Sequence, residues 1–239
     1  MMSLSERLLT EIRAHAARDY PREACGLVVV TKGRRRYVPC RNLAERVEHF
    51  VLDAADWAAA EDAGEIVAVV HSHPNLPPSP SQADLASCEK TGLPWVIISW
   101  PTGAVHTFVP SGFRAPLIGR EFVVGVHDCY ALVRDHYREA LGIDLPDLPR
   151  PPGEWWLKGI DFIRASLDAA GFWIAADAPR PHDMLIMQTN SPVWNHTGVL
   201  LDGGHLLHHF AGRLSSRDVY GGWWRKCTVA VARHKELAA

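Results

Sequence analysis

The spacing of apolar and polar residues divides the chain into two sets of elements. The first set opens with an amphipathic helix whose apolar face carries Leu4, Leu8, Ile12 and His15. Short apolar runs bounded by turn residues then predict five strands: CGLVVV, RRRYVPC, EIVAVVHSHP, PWVIISW and AVHTFVP. Two short helices are predicted between them, over residues 53–62 and over SQADLASCEKTG. Helices and strands therefore alternate through the first half.

The second set follows a segment rich in proline and glycine, PSGFRAPLIGREF, in which we place a linker at about residues 110–119. Helix patterns follow over DCYALVRDHYREALGI and WLKGIDFIRASLDAAGF. Short apolar runs from Met184 onward predict a small sheet. We therefore predict two small domains, residues 1–112 and 120–239.

Composition and charge exclude several classes of protein. The 239 residues are 47% hydrophobic and 22% charged, which is ordinary for a globular chain. A formal net charge of -2 provides no basic field for nucleic acid. Five cysteines without regular spacing favour free thiols in a reducing compartment. We also expect no signal peptide, because the first helix is charged throughout, and no membrane span.

Two histidines at the end of the strand EIVAVVHSHP are the first candidate site. On an extended backbone His71 and His73 point to the same side, so both imidazoles can face one point. Asp84 begins the next helix, where its carboxylate can face back toward the strand end. Two imidazoles and one carboxylate are sufficient ligands for a catalytic zinc ion (Zn²⁺).

Two other interpretations compete with a metal site. With 13 histidines in the chain, one His-x-His pair is unremarkable. Ser81 and Asp84 also match a helix capping box, in which the acidic residue reaches back to the cap. The spacing alone does not decide between these interpretations and metal binding.

The order of Glu23, His-x-His-Pro and Ser-x-x-Asp resembles the JAMM motif of MPN-domain metallopeptidases. The resemblance covers the chain to about residue 110, and YPREACGLVV resembles the glutamate-bearing start of the motif. It implies an α/β domain in which His71, His73 and Asp84 hold zinc.

The same resemblance implies roles for two further residues. Glu23 would be the general base that acts on the zinc-bound water, and Ser81 would donate to the oxyanion. Zinc lowers the pKa of its water to about 7, so a nearby carboxylate can take the proton.

A cysteine at the start of the second-domain helix is the second candidate site. Cys129 lies in the first turn, where the helix dipole favours thiolate, so we expect a pKa below the free value of about 8.5. A single cysteine is more often a small buried apolar residue. We assign the other four to that class: Cys25, Cys40, Cys88 and Cys227.

The run NHTGVLLDGGHLLHHF predicts a hairpin in the downstream sheet. His196 to Leu201 form one strand, Asp202 to Gly204 a tight turn, and His205 to Phe210 the partner strand. A cysteine on a helix and histidines on an adjacent hairpin can form a thiolate–imidazole pair, oriented by a third polar group.

DCYALV and NHTGVLLDGGHLLHH resemble the nucleophile and histidine segments of the NlpC/P60 peptidases, over residues 120–239. The resemblance implies a papain-like α+β domain with Cys129 as nucleophile, His196 as general base and His208 as the residue that orients it. His209 is the competing third residue, and in a strand it would face away from His208.

Members of this family cleave stem peptides of bacterial peptidoglycan, typically beside D-γ-glutamyl and diaminopimelate residues. Here Tyr130 and Ala131 replace the usual Ser-Gly after the cysteine, which affects the expected substrate preference more than the chemistry. His205 is expected to be a surface histidine beside the turn.

The order of the two domains, together with GRLSSRDVYGGWWRK, resembles the tail-tip assembly proteins of long-tailed phages. This resemblance implies tail hub and tail-tip proteins as partners, synthesis in the host cytoplasm and a place at the tail tip of the virion. The leading hypothesis is a peptidase with two active sites. A structural tail component with one or both sites unused is the alternative, and an isopeptidase for a ubiquitin-like tag would leave the second domain unexplained.

Overall fold

The structure is a computed structural model that describes residues 4–44, 46–47, 49–151 and 153–237. The chain forms two compact units, Met1–Arg114 and Ala115–Ala239. Among the described residues, no helix combines the length and the apolar character needed to cross a membrane.

Among its described residues, the N-terminal unit contains one five-stranded sheet and three helices. Its helices are α1 (Glu6–Asp19), α2 (Ala54–Ala63) and α3 (Gln82–Thr91), and its strands are β1 (Cys25–Thr31), β2 (Arg34–Cys40), β3 (Glu65–Pro74), β4 (Trp95–Trp100) and β5 (Val105–Phe108). The sheet order is β2-β1-β3-β4-β5, with β3 and β4 parallel and the other neighbours antiparallel. All the predicted elements of this half are confirmed.

Helices cover both faces of this sheet. Leu8 and Ile12 of α1 pack on one face, against a cluster that includes Val70. Ala60 of α2 and Cys88 of α3 belong to the cluster on the other face. Burial on both faces explains why the central strands are continuous apolar runs. It also means that a polar side chain at a strand end lies close to a helix.

In the part of the C-terminal unit that the structure describes, six strands form one antiparallel sheet in the order β10-β9-β8-β7-β11-β6. The strands are β6 (Phe172–Ile174), β7 (Met184–Met187), β8 (His196–Leu201), β9 (His205–His208), β10 (Ser216–Val219) and β11 (Thr228–His234). The helices are α4 (Cys129–His136), which continues into a π-helical turn (Tyr137–Leu141), α5 (Phe162–Ser166) and α6 (Gly222–Cys227). The predicted hairpin is present, but its second strand ends at His208, two residues early.

The helix predicted from Trp156 to Phe172 is wrong over most of its length. Within it only α5 is α-helical, for five residues. Gly159 has a φ of 73°, in the left-handed region that glycine adopts readily and that interrupts a helix. At the other end Phe172 pairs with His234 of β11, so pairing in the sheet overrides the local helix pattern.

Half of the segment predicted as a linker packs within the C-terminal unit. The guanidinium of the buried Arg120 donates to the carbonyl oxygens of Ala115 and Pro116 at 2.7 and 2.5 Å. Gly119 N donates to the carbonyl of Ser215 at 2.9 Å. The unit therefore includes residues from Ala115 onward, and independent folding of the two halves stays a prediction.

Candidate active sites

Three polar side chains meet where β3 ends and α3 begins. The Nε2 atoms of His71 and His73 are 3.1 Å apart. Asp84 places Oδ1 3.2 Å from Nε2 of His71 and Oδ2 3.5 Å from Nε2 of His73. All three side chains are buried, so the predicted ligands converge at one point.

The spacing and chemistry of this cluster fit a metal ion. Ligand atoms bound at about 2.0–2.1 Å in a tetrahedron lie about 3.3 Å apart, close to the three observed separations. Nδ1 of His73 lies 2.9 Å from the carbonyl oxygen of Pro77. When that nitrogen donates its proton to the carbonyl, Nε2 keeps a lone pair facing the cluster. These three residues could therefore hold a metal ion.

Asp84 also belongs to the capping box of α3, in which Ser81 is the N-cap, so the capping-box interpretation and the metal-site geometry coexist. The backbone N–H and the hydroxyl of Ser81 each donate to Oδ2 of Asp84 at 2.7 Å, and Asp84 N donates to Oγ of Ser81 at 3.1 Å. Burial alone would raise the pKa of Asp84, but His71, with hydrogen bonds from His73 and Ser81, holds that pKa well below its usual range. The role of Ser81 toward an oxyanion stays a prediction.

Glu23 lies two residues before β1, and the segment that leads into β1 continues the pairing with β3. Ser72 N donates to the carbonyl of Ala24 at 2.9 Å, and Ala24 N donates to Oγ of Ser72 at 2.8 Å. The next step of this register places Glu23 opposite His73, and opposite residues share a face of the sheet. Glu23 is buried there, and its role as general base stays a prediction.

In the C-terminal unit, Cys129 is the first residue of α4, and a buried ion pair holds the start of that helix. Asp128 caps α4 by accepting from Ala131 N at 2.8 Å. Arg150 donates hydrogen bonds to both oxygens of the same carboxylate, from Nε at 2.7 Å and from Nη2 at 3.0 Å. Arg150 was not predicted from the sequence, where an arginine within a proline-rich loop was the one available signal.

A relay of three side chains begins at His196 on β8. Nε2 of His196 lies 3.1 Å from Nδ1 of His208 on β9. Nε2 of His208 in turn lies 3.2 Å from Oδ2 of Asp218 on β10. The ring of Trp224 covers His208 edge-on, with the ring centroids 4.2 Å apart. Asp218 was also missed, since its contact with His208 depends on how β9 pairs with β10.

The other histidines of the hairpin lie apart from this relay. The ring of His209 lies edge-on to Phe122, and both of its nitrogens are buried without a hydrogen-bond partner. His205 lies beside the turn, with Nδ1 3.4 Å from the carbonyl oxygen of Asp202. Of these three histidines, His208 is the one that bonds to His196.

Within the described residues, no hydrogen bond joins the thiol of Cys129 to His196, although α4 packs against β8. Burial raises the pKa of the Cys129 thiol and Asp128 adds to the effect, while Thr197 and Arg150 act in the opposite direction. Burial, with His208 as a further cause, lowers the pKa of His196 well below its usual range. The predicted lowering of the thiol pKa is therefore wrong, because desolvation outweighs the helix dipole.

An apolar cleft opens beside Cys129. Its wall includes six aromatic and aliphatic side chains: Tyr130, Leu148, Trp155, Trp156, Phe162 and Ile163. Two charged residues, Asp128 and Arg150, also line it, and they pair with each other. The cleft therefore offers an apolar surface to any ligand that reaches the thiol.

Comparison with known families assigns a family to each half of the chain. Residues 5–110 match the family model described as prokaryotic homologs of the JAB domain, and residues 119–233 match the NlpC/P60 family. The fold and sites thus define a protein with a JAB/MPN-like N-terminal domain and an NlpC/P60 C-terminal domain, both of peptidase families.

Individual relatives narrow the class further. The chain is 44% identical over 237 residues to tail tip assembly protein K of Escherichia phage N15, covering 98% of this chain and 97% of that protein. It is 39% identical over 187 residues to the protein of the same name from Escherichia phage lambda, covering 77% of this chain and 89% of that protein. The CysO-cysteine peptidase of Mycobacterium tuberculosis (strain ATCC 25618 / H37Rv) is 32% identical over 100 residues, covering 38% of this chain and 68% of that protein. The chain belongs to the tail tip assembly protein K family.

Proposed function

We propose that the C-terminal domain is a thiol endopeptidase that cleaves stem peptides of peptidoglycan. The observation that carries this proposal is the hydrogen-bonded pair His196–His208 on strands that pack beside the start of α4. His196 takes the proton of the Cys129 thiol as the sulfur attacks the scissile carbonyl, and then returns that proton to the leaving amine. Water hydrolyses the resulting thioester and frees the thiol. Because both groups are neutral at rest, proton transfer accompanies attack.

We propose further that the N-terminal domain is a zinc-dependent peptidase. His71, His73 and Asp84 would hold the ion, which when bound supplies a Lewis acid and an acidified water. Glu23, opposite His73, would accept the proton of the attacking water. Ser81 would donate to the developing oxyanion, in addition to its present bond to Asp84.

The full-length likeness to tail tip assembly proteins supports a role in a phage tail. We propose that the chain is made in the host cytoplasm, works with tail hub and tail-tip proteins, and is carried at the tail tip to aid assembly or cell-wall penetration. A structural tail component is the second candidate. The absence of a thiol–imidazole hydrogen bond among the described residues favours it.

Digestion of purified Gram-negative peptidoglycan by the full chain, followed by mass spectrometry, tests the thiol site. We expect stem-peptide fragments from the wild type and none from Cys129→Ser or His196→Ala. Cys227→Ser, a half-buried thiol of the same unit, is the matched control and should retain activity. Inactivity of the wild type, where a known wall peptidase works, would favour the structural role.

Glu23→Gln tests the metal site separately, since its zinc content should equal that of the wild type. Any peptidase activity that depends on zinc should be lost. Loss of zinc from this variant would place Glu23 among the ligands instead.

A further inference from the structure

The relay in the thiol site extends one residue beyond His208. In the antiparallel pairing of β9 with β10, Ser216 lies opposite His208. Asp218 is two residues further along and so faces the same side of the sheet. Its Oδ2 lies 3.2 Å from Nε2 of His208, while Oγ of Ser216 lies at 3.5 Å. The carboxylate is thus the nearer neighbour of that ring nitrogen.

Further donors converge on this carboxylate. Nε1 of Trp224 donates to Oδ2 of Asp218 at 3.2 Å, and Nη2 of Arg213 lies 3.3 Å from the same oxygen. An indole N–H and a guanidinium can only donate. Asp218 therefore acts as an acceptor, as an ionised carboxylate does. The nitrogen of His208 that faces it must then carry a proton.

The position of that proton on His208 determines which nitrogen of His196 carries a proton. Burial lowers the pKa of His208 and of His196, so each ring is neutral near pH 7 and carries one N–H. With its proton on Nε2, His208 has a lone pair on Nδ1, which accepts from Nε2–H of His196 at 3.1 Å. His196 is then left with a lone pair on Nδ1. That lone pair is the one a general base requires.

We propose that Asp218 is a positioning residue of the thiol site, which fixes the tautomers of His208 and His196 so that Nδ1 of His196 is the basic nitrogen. Without this acceptor, His208 could carry its proton on Nδ1 and donate it to Nε2 of His196. The hydrogen bond between the two rings would then be reversed. The proton of His196 would then lie on the nitrogen that must accept. The catalytic consequence rests on the proposed thiol peptidase, whereas the tautomers themselves do not.

Two substitutions in the full chain separate the acceptor from the charge. Asp218→Asn keeps an oxygen that can accept from His208 and removes the charge. Asp218→Ala removes the acceptor altogether. Asp202→Ala, at an exposed carboxylate of the same unit, is the matched control. Circular dichroism checks the folding of each variant.

Nitrogen-15 NMR of the imidazole rings reads the tautomers directly. We expect protonation at Nε2 of both histidines in the wild type, in Asp218→Asn and in the control, and mixed tautomers in Asp218→Ala. A proton on Nδ1 of either ring in the wild type would overturn the proposal. So would unchanged tautomers in folded Asp218→Ala. If that variant does not fold, the wild type and Asp218→Asn decide.

Kinetics on stem peptides give a second reading. Asp218→Ala should lower kcat by about 100-fold with KM unchanged, because an orienting group contributes less than the pair it orients. Asp218→Asn should recover most of that loss, and a loss equal to that of Asp218→Ala would overturn the proposal. If the wild type cleaves nothing, the proposed function fails and the NMR result still decides the role of Asp218.

Discussion

Both candidate sites combine histidine with aspartate, but the carboxylate lies in a different position relative to the two imidazoles in each site. In the N-terminal site the carboxylate of Asp84 touches both ring nitrogens that face the cluster. In the C-terminal site Asp218 touches the far end of a two-histidine relay, and His196 at the near end is neutral. The first arrangement suits a cation, and the second suits the transfer of a proton.

The contrast shows that the position of a carboxylate, more than its presence, determines the chemistry of nearby histidines. A carboxylate in direct contact with two imidazoles provides the negative charge and lone pairs that a metal requires. A carboxylate at one remove leaves the first imidazole uncharged and orients it.

The largest expected effect is on the stability of the thiol site. Arg150→Met should destabilise the C-terminal unit by about 3–5 kcal/mol, because it leaves the buried Asp128 carboxylate without its cation. Hydrogen exchange, measured peptide by peptide, should show faster exchange in α4 and unchanged exchange in α1. Arg217→Met, at an exposed arginine, is the control. A loss below about 1 kcal/mol would show that the pair is not needed.

Metal content should change in the other site alone. His73→Ala should reduce zinc affinity by at least about 100-fold, because one of three ligands is lost. His106→Ala, at an exposed histidine of the same unit, should bind zinc like the wild type. Metal analysis and calorimetric titration measure both variants. Equal zinc content in His73→Ala would disprove the ligand assignment.

Acid should destabilise the C-terminal unit more than the N-terminal one. Burial, together with nearby charges, lowers the pKa of His127, His136 and His209 to about 4 in the folded state, against 6.5 in the unfolded chain. Their contribution to stability is complete above pH 6.5 and is lost as pH falls toward 4, because the unfolded chain binds the extra protons. Between pH 7.5 and 5.5 each should cost about 1 kcal/mol. Equal acid sensitivity of both units in hydrogen exchange would contradict this.

The smallest expected effect is on thiol reactivity. Because burial raises the pKa of Cys129, its alkylation by iodoacetamide should be slower at pH 6 than that of a free thiol, and should increase up to and beyond pH 9. Mass spectrometry of the modified peptide measures the rate at each pH. A plateau below pH 7 would indicate a preformed thiolate and contradict a raised thiol pKa.

Local sequence was sufficient to predict those elements and side-chain positions that depend on one short segment of the chain. The strand from Glu65 to Pro74 and the hairpin that starts at His196 follow from apolar runs and turn residues close together in the chain. The convergence of His71 and His73 follows from the two-residue repeat of a strand. Asp84 could be added because a capping box and a short loop constrain where α3 begins.

Contacts between distant segments could not be derived in this way. Arg150 binds a carboxylate 22 positions earlier in the chain, and Asp218 reaches His208 through the register of β9 with β10. The helix predicted up to Phe172 failed because that residue is taken into the sheet by β11. The last two outcomes depend on which strands become neighbours, whereas the Arg150 contact depends on how a loop packs against the start of α4.

Short motifs in the sequence predicted the candidate site residues of this protein and the order of its two domains, and the family matches confirm that order. The protonation states of those residues, in contrast, depend on how the chain packs around them. Cys129 lies at a helix start, which favours thiolate, yet burial raises the pKa of its thiol. Desolvation depends on everything packed around a group, and most of those neighbours are far away in sequence.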